Sequence, residues 1–133
     1  MLEDKIKEFE LDGKKYPYKC TMLVLEKIQD MVGDLVLAED KLRGFVPRVD
    51  SDGVIDRTEG RFTLPDVRIV CQSLVWMVEE GIEITESEEK PLTDKDLKRQ
   101  DEYTLNELAL IAFREFEECV AGKKSKKKAQ AKK

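Results

Sequence analysis

The stretch "PDVRIVCQSLVWMVEE", residues 65 to 80, decides how this chain is read. Val67, Val70, Cys71, Leu74, Met77 and Val78 recur in steps that place them on one wide face of an α-helix. Pro65 suits the first helical position, where a missing N–H costs nothing, and Asp66 complements the positive end of the helix dipole. Gly81 is the expected stop. An apolar stripe this wide predicts a central core helix. Trp76 lies off its middle, a position that covers the edge of the core or meets a partner, and the core edge is favoured.

Working outward, "IKEFELDGKKYPYKC" predicts an N-terminal β-hairpin. Asp12-Gly13 makes the turn, Ile6, Phe9 and Leu11 supply apolar positions, and Tyr16 and Tyr18 alternate outward around Pro17. Pro17 cannot donate a ladder hydrogen bond, which marks an edge strand, and an isolated hairpin must rest on helices. Thr21 is the expected N-cap of "MLVLEKIQDMVG", with Met22, Leu25, Ile28 and Val32 as its apolar face and Gly33 as its end. "DLVLAEDKLRG" predicts a shorter helix ending near Gly44, and a second hairpin or ordered loop is expected over residues 45 to 62.

That loop holds "PRVDSDGVIDRTEGRF", residues 47 to 62, which resembles a calcium loop. With Gly53 sixth of twelve positions, Asp50, Asp52 and Glu59 fall on ligand positions, but Arg48 stands where the first carboxylate belongs. Pro47 also breaks a helix running into the loop, so a turn is expected there and a metal site is not.

Downstream, "IEITESEEK" is an expected acidic connector. Thr93 with Asp96 and Thr104 with Glu107 have capping-box spacing. The second opens "LNELALIAFREFEECVAG", where Leu105, Leu108, Ala112, Phe116, Cys119 and Val120 line one face. Leu110, Ile111 and Phe113 are apolar on other faces, so this helix is either sandwiched or offered to a partner; with Trp76 they are the candidate partner-binding residues. The expected fold is mainly α within an α+β class: four to five helices, an N-terminal hairpin and a second hairpin or loop near 45 to 62.

The chain has 133 residues, enough for one domain, expected over 1 to 122. Seven of its 24 basic residues lie in "KKSKKKAQAKK" at 123 to 133, leaving 17 basic against 29 acidic residues before it, a net of −12. The body is an acid and the expected disordered tail a polycation, so nucleic acid is not an expected ligand of the body. Cys20, Cys71 and Cys119 form an odd set without CxxC spacing, which indicates neither a disulfide framework nor a zinc site. The charged opening and the lack of a long apolar run predict a protein that is soluble and cytoplasmic, with no membrane association. There is no His, which removes imidazole-dependent catalysis, and no glycine-rich phosphate loop. No catalytic residue, cofactor or metal is indicated, and the expected function is non-enzymatic binding.

Three segments, "DGKKYPYKCTMLVLEKIQ" at 12 to 29, "KLRGFVPRVDSDGVIDRTEGRF" at 41 to 62 and "PDVRIVCQSLVWMVEEGIEI" at 65 to 84, resemble the phage tail assembly chaperones of long-tailed phages and prophages of Gram-positive bacteria. The resemblance spans about residues 6 to 120 and contains no catalytic signature. It implies a small helical protein that binds the tape-measure protein in the host cytoplasm before tail-tube subunits polymerise around it. It also implies weak self-association along that partner. A longer product, made by ribosomal frameshifting near the C-terminus, would recruit the tail-tube protein. On that reading "KKSKKK" marks an A-rich slip site; the alternatives are a polycation that binds nucleic acid or an acidic partner, and a merely solvated terminus. A structural tail component is the remaining alternative.

Overall fold

The computed structural model describes residues 6–122, and the lysine-rich segment 123–133 lies outside them. Chain order is β1 (Lys7–Leu11), β2 (Lys14–Tyr18), α1 (Met22–Val32), α2 (Leu35–Arg43), β3 (Phe45–Val49), β4 (Ile55–Phe62), α3 (Val67–Thr85), α4 (Asp94–Arg99) and α5 (Leu105–Ala121). The five helices and two antiparallel hairpins, β1–β2 and β3–β4, make an α+β fold of the expected kind.

Helix α3 is the centre, touching β2, α1, α2, α4 and α5. Ile69, Val70, Cys71, Leu74, Val75, Met77 and Val78 are all buried. Its ends differ from expectation. Asp66, in extended backbone, is the N-cap and accepts from the Ile69 amide at 3.1 Å, so Pro65 stands before the cap and outside the helix. Gly81 does not stop the helix, which runs on to Thr85 and ends where Glu86 takes a left-handed φ of 55°. A Cβ at Gly81 would lie 2.4 Å from the Pro17 carbonyl oxygen, so the missing side chain lets β2 lie against α3. Next to this contact Lys19 N–H donates to the Met77 carbonyl at 3.0 Å.

The first hairpin pairs Phe9 with Tyr16 and turns at Asp12 and Gly13, both at positive φ. Tyr16 and Tyr18 are buried, against the outward alternation expected, because Phe9 gathers them: its ring is 6.0 Å from Tyr16 and 5.5 Å from Tyr18. Tyr103 closes the cluster at 6.1 Å and donates its hydroxyl to the Glu10 carbonyl at 2.6 Å.

In α1 the buried positions are Val24 and Ile28, an i, i+4 pair, while Met22 is 82% exposed. Met22 precedes Val24 by about 200° of helical rotation and therefore points to the opposite side. Thr21 is the N-cap residue by backbone but makes no side-chain cap bond; its hydroxyl donates to Glu80 on α3 at 2.7 Å instead. Gly33 and Gly44 end α1 and α2 in left-handed conformation as expected. Both capping boxes, Thr93 with Asp96 and Thr104 with Glu107, are formed reciprocally.

On α5 the core face comprises Leu108, Ala109, Ala112 and Phe116, with Leu105 and Cys119 half-buried beside it. Val120, expected on that face, is exposed, since it falls at the margin of the stripe in the last turn. The same face carries the buried Glu115, whose carboxylate accepts from Cys20 N–H at 3.1 Å and lies 3.2 Å from the Lys7 ammonium.

Candidate partner-binding surface

Successive α5 residues are separated by about 100° of rotation, so Leu110 and Phe113 lean to one side of the buried stripe and Ile111 to the other. The structure follows this division. Leu110 and Phe113 border a shallow depression of about 120 Å³ with Asn106 and Ala109 of α5, Leu42 and Arg43 of α2, and Pro65. Leu110 is 47% exposed, whereas Phe113 and Ile111 are half-buried and packed against the core. Ile111 does not border the depression. Trp76 is also elsewhere: half-buried at the core edge, it shares a separate hollow with Met31 and Lys27 of α1 and Arg68 and Gln72 of α3.

Arg43 connects the depression to the second hairpin. Its guanidinium sits 4.6 Å above the Phe45 ring, and Phe45 meets Phe62 edge to face at 5.4 Å. The ladder sets Phe45 opposite Phe62, Pro47 opposite Gly60 and Val49 opposite Ile55. Alternate residues of a strand share a face, and directly opposed residues share it too. In the regular part of the ladder one face therefore carries Phe45, Pro47, Gly60 and Phe62, while Val49 and Ile55 pair beyond the register shift that follows Pro47. Every residue of β4 is exposed, with Phe62 at 73% and Ile55 at 56%. The neighbouring Leu64 is 71% exposed and continues the surface toward Pro65.

The root of this arm is polar and fixed. Asp40 of α2 is buried and accepts from Arg57 of β4 at 2.6 Å, with Arg43 3.6 Å from the same oxygen. Its other oxygen has no hydrogen-bond partner among the described residues. Backbone bonds from Thr63 N–H to the Gly44 carbonyl, 2.7 Å, and from Asp66 N–H to the Lys41 carbonyl, 3.1 Å, complete the attachment. Gly44 is required here, because a Cβ would meet the Thr63 carbonyl oxygen at 2.3 Å.

The calcium-like residues serve the arm itself. Arg48 donates to Glu59 at 2.6 Å, so the two ends of the twelve-residue pattern are bonded to each other. Asp50 accepts from the amides of Asp52 and Val54, both at 2.9 Å, and holds the turn in which Gly53 has φ of 82°. The Thr58 hydroxyl and amide bind Asp56 and hold its carboxyl below the usual aspartate range. Among the described residues no group of three or more His, Cys, Asp or Glu is placed to hold a metal, and no helix is long and apolar enough to cross a membrane.

Of the four residues singled out from sequence, the structure brings Leu110 and Phe113 together and sets Ile111 and Trp76 apart. The hairpin face was missed. Its signal was present in "FVPRV", whose first, third and fifth residues are apolar, and in the aromatic that ends "IDRTEGRF". Comparison with protein-family models, with curated proteins and with solved structures finds no match.

Proposed function

We propose that this chain is a non-enzymatic tail assembly chaperone that binds a long helical tape-measure protein and covers its apolar faces until tail-tube subunits assemble. The observation that carries the reading is the exposure of Leu110, Leu64 and Phe62 around a depression bordered by Phe113, Pro65 and Arg43, whose guanidinium stacks on Phe45 at the root of the hairpin. An amphipathic helix laid across such a surface uses anchors one turn apart, which suits a depression joined to a longer apolar face. The strongly acidic body keeps a many-copy cover dispersed in solution. The resemblance of residues 12–29, 41–62 and 65–84 to the chaperone family supplies the identity of the partner; the surface supplies the mode of contact.

The test is co-expression of the tagged chain with its native neighbouring genes, nuclease treatment and a salt wash, and identification of any long helical protein that is retained. Retention by the parent and by a form lacking residues 123–133, with at least tenfold loss in Leu110→Asp and Phe62→Asp, is the expected result. Retention unchanged in both variants overturns the surface. Capture of nucleic acid alone, lost with residues 123–133, overturns the chaperone reading and leaves the lysine-rich segment as the active part.

A further inference from the structure

The depression beside α5 has a single charged residue on its border. Its walls are mostly apolar, Leu42, Pro65, Leu110 and Phe113 among them, and its two polar side chains are Arg43 of α2 and Asn106 of α5. Arg43 is only loosely paired. Arg57 takes the near position on Asp40 at 2.6 Å and leaves Arg43 3.6 Å from the same oxygen, beyond hydrogen-bond length. Arg43 Nε is buried without a hydrogen-bond partner among the described residues. Two guanidiniums thus share one buried carboxylate, and the less well matched of them borders the depression. Its position is nevertheless set, because it stacks on the Phe45 ring at 4.6 Å, and its side chain remains 35% exposed.

We propose that this depression selects a helix carrying one aliphatic side chain with a carboxylate one turn away: the aliphatic group fills the depression and the carboxylate accepts from Arg43. The inference rests on the chaperone reading and names what the bound helix must carry. A space of about 120 Å³ has room for one side chain of leucine size, so a single anchor enters it. The charge selects the neighbour of that anchor. An apolar group laid over Arg43 would strip its water and return no hydrogen bond, and a lysine would add a like charge. A carboxylate matches the guanidinium fork and removes both penalties. Residues 1 to 122 have a net charge of −12, so the long-range field disfavours an acidic partner. The preference is therefore local and arises on contact, against the field of the whole body.

The experiment titrates the full-length chain into fluorescently labelled, alanine-based helical peptides that carry leucine anchors on one face. Three peptides differ only in the residue one turn from each anchor, which is Glu, Gln or Lys, and anisotropy reads the Kd at about 0.15 M salt, where charges beyond about 8 Å are screened. The Glu peptide should bind at least about threefold tighter than the Gln peptide, with the Lys peptide weakest. Arg43→Gln should abolish that order and Arg43→Lys should keep part of it, while Leu110→Asp should weaken all three peptides. Melting temperatures confirm that each variant is folded; if Arg43→Gln is not, the order shown by the parent chain still decides. Equal binding of the Glu and Gln peptides overturns the proposal, as does binding of none of them, or an order that survives Arg43→Gln in a folded chain. Equal binding leaves capture of a tape-measure protein untouched. Failed capture with the peptide order intact instead removes the chaperone reading and leaves a site for acidic amphipathic helices.

Discussion

Arg57, in the middle of β4, reaches back 2.6 Å to Asp40, a carboxylate 1% exposed in the body of the protein. The pair ties an arm whose strand is exposed along its length to a helix that belongs to the core. Arg57→Ala is expected to lower stability by about 1–3 kcal/mol, since it leaves a buried carboxylate with only the more distant Arg43. The partial exposure of Arg57 keeps the figure toward the lower end. The double change Asp40→Leu with Arg57→Leu should recover most of the loss in urea unfolding; no recovery would mean that packing, and not the ion pair, holds the arm.

Gly81→Ala sets two effects against each other. Alanine favours a helix interior by about 1 kcal/mol over glycine. The new methyl would stand 2.4 Å from the Pro17 carbonyl oxygen, and overpacking against backbone costs about 1–3 kcal/mol or more. The clash should win, with a net loss of about 1–2 kcal/mol in urea unfolding. A stabilised variant would show that β2 moves away from α3 without cost.

Leu110→Asp and Phe113→Asp separate binding from folding. Leu110 is exposed, so its substitution should change stability by no more than about 0.5 kcal/mol while abolishing capture of the partner. Phe113 is half-buried against the core, and placing a carboxylate there should cost about 1–2 kcal/mol in addition to capture. Thermal unfolding of both variants checks the order; equal melting temperatures would contradict it.

The short helix α4 should fray in acid. Backbone and side-chain hydrogen bonds with Thr93 hold the Asp96 carboxyl below the ordinary aspartate value of 3.8. The stabilisation is therefore complete above that value and is lost as pH falls through the lower folded-state value. Amide exchange at Asp96 and Leu97 should accelerate over that interval in the parent, and Asp96→Asn should lose the dependence. Asp96 is exposed, so the effect should be small and confined to α4.

Locally specified features were legible in the sequence. Thr93 with Asp96 and Thr104 with Glu107 cap their helices by reaching three residues, and Asp12-Gly13 turns its hairpin with its own backbone. Features specified by a distant neighbour were not. Gly81 resembles a helix stop until Pro17 is brought against it, and Thr21 resembles a side-chain cap until Glu80 claims its hydroxyl. Glu115 is intermediate: its spacing from Leu108, Ala112 and Cys119 places it on the buried stripe, but only Cys20 and Lys7 explain a carboxylate there. The proposed partner-binding surface was half visible for the same reason. Leu110 and Phe113 stand out on a single helix, whereas the apolar face of the arm exists only once the register pairs Phe45 with Phe62.

The irregular pairing of β3 with β4 limits how this protein can crowd with itself. Pro47 offers no N–H at the centre of β3, and Arg57 to Glu59 of β4 are inserted opposite the single step from Pro47 to Arg48. Both outer edges are thus poor templates for another strand, and the charges of Arg57, Glu59 and Arg61 oppose a flat approach. An exposed apolar hairpin with clean edges would seed cross-β growth at high protein concentration. Here the arm can expose its face without being extended at its rim, which guards against fibre formation.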